Sequence, residues 1–294
     1  MPALLFHPLV ALAAVLTLAP FFAAAFCPAA WRKLESLSLA VRLAFPGLLG
    51  LPYLLVSVST GLFRWRWLAV YTLLPVLIDV LLESARRTDP EQRGQWRDYL
   101  ILGILGLAVD LRWFEPAWPP GLAAFNKMLL LDAGIYGFHV IRKLSGTGFD
   151  LRLRWRDLGT GFIWFALYAP LAVVLGLALG FLHWHAVLPS PVRALGAFAF
   201  TFFFIAVGEE LFFRGWMQNL LERRMGRIGS LLLTAILFGL SHFNKRALHF
   251  NWRYVLLAAL AGIFYGSAWR QQRRVGASSI THALVDTVWS IWLR

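Results

Sequence analysis

Residues 207–215 read VGEELFFRG and place three ionisable groups within one of the most apolar parts of a 294-residue chain. Read as a helix, the stretch stacks Glu210 and Arg214 at i, i+4, acid before base, which is the favourable order for an ion pair. Pairing lowers the cost of burying both. Glu209 is rotated by about 100° from Glu210, so the arginine cannot serve both carboxylates equally. One glutamate is then neutralised and the other is left to accept a proton. Two further segments carry rare polar groups. ILFGLSHFN puts His242 near the end of an apolar helix, and SSITHALVDTVWSIW puts His282 and Asp286 at i, i+4 on one face of the last helix. Glutamate and histidine together activate water by taking its proton, and a second histidine with a polar neighbour stabilises the oxyanion of a tetrahedral intermediate. The same side chains suit a divalent metal such as zinc, with Glu209, His242, His282 and Asp286 as its ligands.

Membrane helices must hold these groups. The chain is 59% hydrophobic and 15% charged, where soluble domains average about 45–50% and about 25%. Its apolar residues form runs of roughly 17–25, long enough to cross a hydrocarbon core of about 30 Å. The runs are continuous and do not alternate, which excludes a β-barrel. The fold class is therefore all-α, a polytopic transmembrane bundle of about eight to ten helices. Candidate spans are roughly 4–26, 40–60, 67–83, 99–114, 122–141, 159–182, 194–218, 229–243, 254–269 and 277–293. The N-terminal run lacks a positively charged start and is long for a signal peptide, so it reads as the first span. The single cysteine, Cys27, excludes an intramolecular disulfide or a cysteine-based zinc site and reads as inert at a helix end.

A formal charge of +13 raises the question of nucleic acid, but the basic residues flank apolar runs. That is the placement of anchors facing anionic lipid headgroups, so no nucleic acid is expected. Most of the 28 Lys and Arg residues fall in the connections after the first, third, fifth, seventh and ninth spans. The positive-inside rule puts those connections in the cytoplasm and both termini outside. The longest of them, 142–159, alternates apolar and basic residues through FDLRLRWR and reads as lying on the cytoplasmic surface. It marks a seam between an N-terminal region, 1–150, and a C-terminal one, 151–294. Under this topology Glu209 falls in the cytoplasmic half of the seventh span, while His242 falls nearer the outer end of the eighth. The two have to meet, so the eighth span is tilted or re-entrant, or one loop lies on the other side.

Other intramembrane polar groups have plainer readings. Asp79 and Glu83, and Asp132 and His139, read as interfacial or bundle-facing, with an ion site or substrate path as the alternative. His183 and His185 flank Trp184 at a loop edge and read as interfacial anchors. His249, close to Asn251, reads as solvated. Gly262 and Gly266, four apart, read as a close helix contact.

The motifs also carry a resemblance. EELFFR fits EExxxR, FGLSH fits FxxxH, and HALVD fits HxxxN/D. In this order, on three successive polar-bearing helices, they resemble the CPBP intramembrane proteases. That family contains type II CAAX prenyl endopeptidases and bacterial proteins linked to bacteriocin immunity and peptide processing. The resemblance covers about 155–294, and residues 1–150 show none. It implies an integral-membrane endopeptidase in which Glu209 and His242 activate water, Glu210 and Arg214 support, and His282 with position 286 stabilises the oxyanion. Its substrate would be a peptide or membrane-protein tail cut at or near the cytoplasmic face. The eukaryotic pattern has asparagine where this chain has Asp286, and an ionised aspartate cannot donate to an oxyanion. Asp286 must be protonated, orient His282 or bind a metal. The family has been described both as metalloproteases and as glutamate-dependent, so metal dependence stays open. The Ala-, Arg- and Trp-rich composition and compact loops point to a bacterial cell membrane. Two other classes remain: a proton- or cation-coupled transporter using Glu209, Glu210 and Asp286, which would transport and not cleave, and a catalytically silent immunity or scaffold protein. The latter would tolerate Glu209→Ala and His242→Ala.

Overall fold

The computed structural model describes residues 7–245 and 249–293, and every regular element among them is helical. Residues 4–6 of the expected first span and Arg246 lie outside the described residues. The chain divides into two compact units, one ending at Ser145 and the other beginning at Gly146.

The first unit contains α1 (Pro8–Phe26), α2 (Pro28–Glu35), α3 (Leu39–Ser59), α4 (Trp65–Thr88), α5 (Trp96–Asp110) and α6 (Ala124–Tyr136). A wide π turn, Gly137–Ile141, prolongs α6. Its core is aromatic and threaded by hydrogen bonds: Trp118 Nε1 donates to the Tyr71 hydroxyl at 2.7 Å, which donates to Asn126 Oδ1 at 3.0 Å. At one end Arg142, fully buried, donates to Asp98 Oδ1 at 2.8 Å and Asp89 Oδ2 at 2.7 Å. Burial opposes the Asp89 charge, but the Arg93 and Gly94 backbone N–H groups and Arg142 more than offset it and hold its carboxyl below the usual range.

The second unit begins with an extended segment and α7 (Trp155–Ala178). A 50-residue helical run, Pro191–Leu240, follows. Gly226 divides it, with φ 75° and ψ −178°, a conformation open to glycine and costly for other residues. The arms are α8 (191–225) and α9 (227–240). α10 (Trp252–Gln272) and α11 (Val275–Trp292) complete the unit. The basic stretch around Arg223, Arg224 and Arg227, expected as a loop between two spans, is helix on both sides of a one-residue reversal. Side chains close the helix starts: Ser190 Oγ accepts from Arg193 N at 3.3 Å, and Asn251 Oδ1 from Tyr254 N at 3.3 Å. α7 and α11 pack at small residues. A Cβ on Gly161 would collide with Ile280, and Thr281 Oγ1 donates to the Gly161 carbonyl at 3.2 Å.

Among the described residues five helices are long and apolar enough to cross a bilayer: α1, α3, α4, α7 and the Pro191–Leu240 run that Gly226 divides, with mean hydropathies of 1.7 to 2.3. α5, of 15 residues, is too short to cross alone, whereas α6 with its π turn runs from Ala124 to Ile141, close to the expected 122–141. Three basic connections of the second unit gather at one end. Arg274 reaches Asp157 at 2.9 Å and Asp150 at 3.2 Å, while Glu222 takes Arg273 at 2.6 Å and Arg270 at 3.7 Å. Burial raises the cost of the Asp150 charge, but Arg152 and Arg274 outweigh it and depress its carboxyl pKa. A depressed folded-state pKa gives stability that is complete above the ordinary carboxylate value of about 4 and is lost as pH falls below it. Thermal unfolding in detergent should therefore show a steeper acid loss for the wild type than for Asp150→Asn. Identical acid profiles would show that the Asp150 pair adds nothing to stability.

Candidate active site

The glutamates sit on a single α turn, Val207–Glu210, between two π-helical stretches, Phe202–Ala206 and Leu211–Gln218. Such wide turns are frequent at functional sites because they re-aim side chains within a continuous helix. Glu210 and Arg214 are both fully buried, and Arg214 Nη1 donates to Glu210 Oε1 at 2.9 Å. Arg214 Nη2 also donates to the Gly262 carbonyl at 3.1 Å, and the guanidinium lies 4.6 Å from the centre of the Phe238 ring. The cation is therefore held by a carboxylate, a carbonyl and an aromatic face together.

Glu210 has a second partner that the i, i+4 spacing could not reveal. Its Oε1 also lies 2.9 Å from His282 Nδ1. A carboxylate on one imidazole nitrogen fixes the ring and directs the other nitrogen outward. His282 Nε2 faces Asp286 Oδ2 at 3.5 Å and Glu209 Oε2 at 3.9 Å. The ring is stacked on Tyr265, with centroids 4.6 Å apart and planes 17° apart. Glu209 itself is partly exposed, and its Oε1 lies 3.9 Å from Lys245 Nζ.

His242 follows α9. Its Nδ1 lies 2.8 Å from the Phe238 carbonyl, which assigns the proton to Nδ1 and leaves the lone pair on Nε2. Its ring packs against Phe238 and Tyr254, at 5.0 and 4.7 Å. Glu209, Lys245 and His282 are within electrostatic reach of it. The two arms of the Gly226 reversal account for this convergence. Glu209 lies about as many residues before the glycine as His242 lies after it, so antiparallel arms bring them to one level. No tilted or re-entrant span is needed. The expectation differs in the depth it gave Glu209: like His242, Glu209 lies far from the arginine-bearing turn.

The structure thus brings Glu209, Glu210, Arg214, His242, His282 and Asp286 together. A cavity opens beside them, with His242, His282, Asp286, Tyr168, Tyr254 and Trp289 among its walls. Glu209 is not among them; its carboxylate lies between Lys245 and His282. The residues that sequence reasoning missed are Lys245 as a neighbour of Glu209 and the tyrosines of α7 and α10. All 7 Tyr of the chain lie on helices, so these three carry no distinguishing signal in the sequence.

Zinc binding needs three or four ligand atoms at about 2.0–2.3 Å around one point. Among the described residues no three His, Cys, Asp or Glu side chains are placed to share an ion. One His282 nitrogen is taken by Glu210. The set Glu209, His242, His282 and Asp286 does not fit a metal in this arrangement.

The remaining polar groups are not part of this centre. Asp79 and Asp132 are buried in the first unit, and their carboxyl oxygens find no hydrogen-bond partner among the described residues. Glu83 pairs with Arg86 and Arg87 near the end of α4, and His139 is on the π turn after α6. The backbones of His183 and His185 donate to the Leu293 and Trp292 carbonyls at the end of α11, beside an exposed Trp184. His249 is exposed. Gly262 and Gly266 permit close packing: a Cβ on the first would stand 2.9 Å from the Ala235 backbone, and on the second 2.5 Å from Gln218 Oε1. Cys27 is exposed at the end of α1.

Residues 191–288 match the family model described as type II CAAX prenyl endopeptidase Rce1-like. The matched stretch holds all three motifs and every residue of the centre. It is the family that the motif trio resembles, one of membrane endopeptidases. No curated protein and no solved structure matches the chain.

Proposed function

We propose that the second unit hydrolyses a peptide bond of a peptide or membrane-protein substrate, using water activated by Glu209 and His242. The observation that carries this reading is the carboxylate pair split by its surroundings: Glu210 is consumed by Arg214 and His282, while Glu209 is partly exposed beside His282. Water held by the Glu209 carboxylate and the His242 Nε2 lone pair gives a proton to Glu209 as its oxygen attacks the scissile carbonyl. Because its Nδ1–H is committed to Glu210, His282 acts as the imidazolium, and its Nε2–H donates to the oxyanion as it forms. Glu209 then passes its proton to the leaving nitrogen, the C–N bond breaks, and the carbonyl re-forms.

Asp286 acts through His282, holding Nε2 toward the reacting carbonyl from 3.5 Å. Asparagine is the residue of the eukaryotic pattern and keeps an acceptor oxygen there while adding a donor. Asp286→Asn is therefore expected to stay within about tenfold of wild-type turnover, whereas Asp286→Leu should lose about 10²–10³-fold, the range for a weakened oxyanion site. Loss on Asp286→Asn as deep as on Asp286→Leu would show that the charge itself is needed. The test of the whole reading compares peptide termini in membranes carrying the wild type or Glu209→Gln at equal abundance. A terminus present only with the wild type names substrate and bond. Identical termini, with ion flux in proteoliposomes, would favour transport.

A further inference from the structure

The second unit is closed at one end and open at the other, and the charges of its ends differ. Between the arginine network and the centre lies a solid layer. Gln218, Trp216, Trp269 and Val275 are at most 1% exposed. Gln218 donates to the Gly266 carbonyl at 3.3 Å and Trp269 to the Thr147 carbonyl at 3.1 Å. At the opposite end α9 stops early. An arm of 227–240 is about 21 Å long at 1.5 Å per residue, shorter than a hydrocarbon core of about 30 Å. The connection after it therefore begins within the thickness of the bilayer. Backbone that is not helical is tolerated at that depth only where it is buried in protein or faces water. On this connection His249 is exposed and Lys245 half-buried, its side chain 36% exposed and 3.9 Å from Glu209. The cavity's walls run the same way, to Phe181 and Leu182 beyond α7 and to Leu293 beyond α11.

Charge assigns the sides. Three arginines each from 152–156, 223–227 and 270–274 lie at the closed end, while Arg193, Lys245 and Arg253 lie at the open one. Short connections rich in Lys and Arg stay in the cytoplasm.

We propose that the centre is reached from the non-cytoplasmic side of the membrane, so that its substrates are exported or membrane-embedded polypeptide segments presented on that face. Cytoplasmic protein tails meet the closed end. For the word substrate this rests on the endopeptidase reading; the side of access does not. It replaces the expectation of cleavage at the cytoplasmic face.

The chain has one cysteine, Cys27, so Cys27→Ser is a clean background for single-cysteine labelling with a membrane-impermeant maleimide in intact cells. Lys245→Cys should label without permeabilisation and gain nothing from it. Arg224→Cys, on the exposed reversal, should label only after permeabilisation. Leu188→Cys, at a position 97% exposed on the connection after α7, should label as Lys245→Cys does and reports the same side if that variant fails to accumulate. Labelling of Lys245→Cys or Leu188→Cys only after permeabilisation overturns the proposal, as does labelling of Arg224→Cys from outside. The readout needs no turnover. Unchanged peptide termini would remove the endopeptidase reading and leave the side of access standing.

Discussion

Glu209→Gln should lower hydrolysis by about 10²–10⁴-fold, the range for removing a positioned general base, while the protein still inserts and accumulates at the wild-type level. Glutamine keeps the size and the hydrogen-bonding oxygen but cannot accept the proton of water. The structural cost is small because Glu209 is the partly exposed member of the pair, with a side chain 29% exposed. Its ion contacts, Lys245 and His282 at 3.9 Å each, are long. Exposed or loose pairs of this kind add little stability. Glu210→Gln makes the informative comparison. It should harm both turnover and accumulation, because Glu210 is fully buried and accepts from Arg214 and His282 at 2.9 Å each. Wild-type turnover by Glu209→Gln would remove Glu209 from the chemistry and leave Asp286 as the remaining exposed carboxylate beside His282.

Arg214→Ala should cut the amount of folded protein severely, with a cost of about 3–5 kcal/mol, the range for removing one partner of a buried ion pair. Three losses coincide at this residue. Glu210 loses its cation, the Gly262 carbonyl loses a donor, and the Phe238 face loses the guanidinium packed 4.6 Å away. Replacing both charges, as in Glu210→Leu with Arg214→Leu, removes the unpaired carboxylate and should restore part of the accumulation. Turnover should stay lost in that double variant, because nothing then fixes His282 Nδ1. Accumulation by fluorescence-detected gel filtration and turnover by product termini separate the two effects. Normal accumulation of Arg214→Ala would show that Glu210 is satisfied by His282 alone.

Much of this was legible along the chain, and the reason is local. Spacing within one helix is fixed by its pitch, so Glu210 with Arg214 and His282 with Asp286 could be paired from i, i+4 alone. Apolar runs report membrane helices because the bilayer sets their length. The three motifs carried the family resemblance because each lies within a few residues. Gly226 was harder to read. A basic stretch of ordinary helix formers looked like a loop, and only the backbone shows that one glycine at positive φ turns the chain back on itself. That reversal resolved the apparent distance between Glu209 and His242.

What the sequence by itself determined is therefore the class of the protein, its apolar helices, and the short-range pairs that hold charge inside them. The tertiary structure decided which glutamate is left over, because the contact of Glu210 with His282 joins residues 72 apart in the chain. It also placed Lys245 beside Glu209, stacked Tyr265 on His282, and closed the centre on its arginine side. Helix pitch acts only on near neighbours. Which faces of α8, α9, α10 and α11 meet depends on how all four pack at once, at positions such as Gly262 and Gly266 where backbones approach closely, and no window of the sequence contains that information.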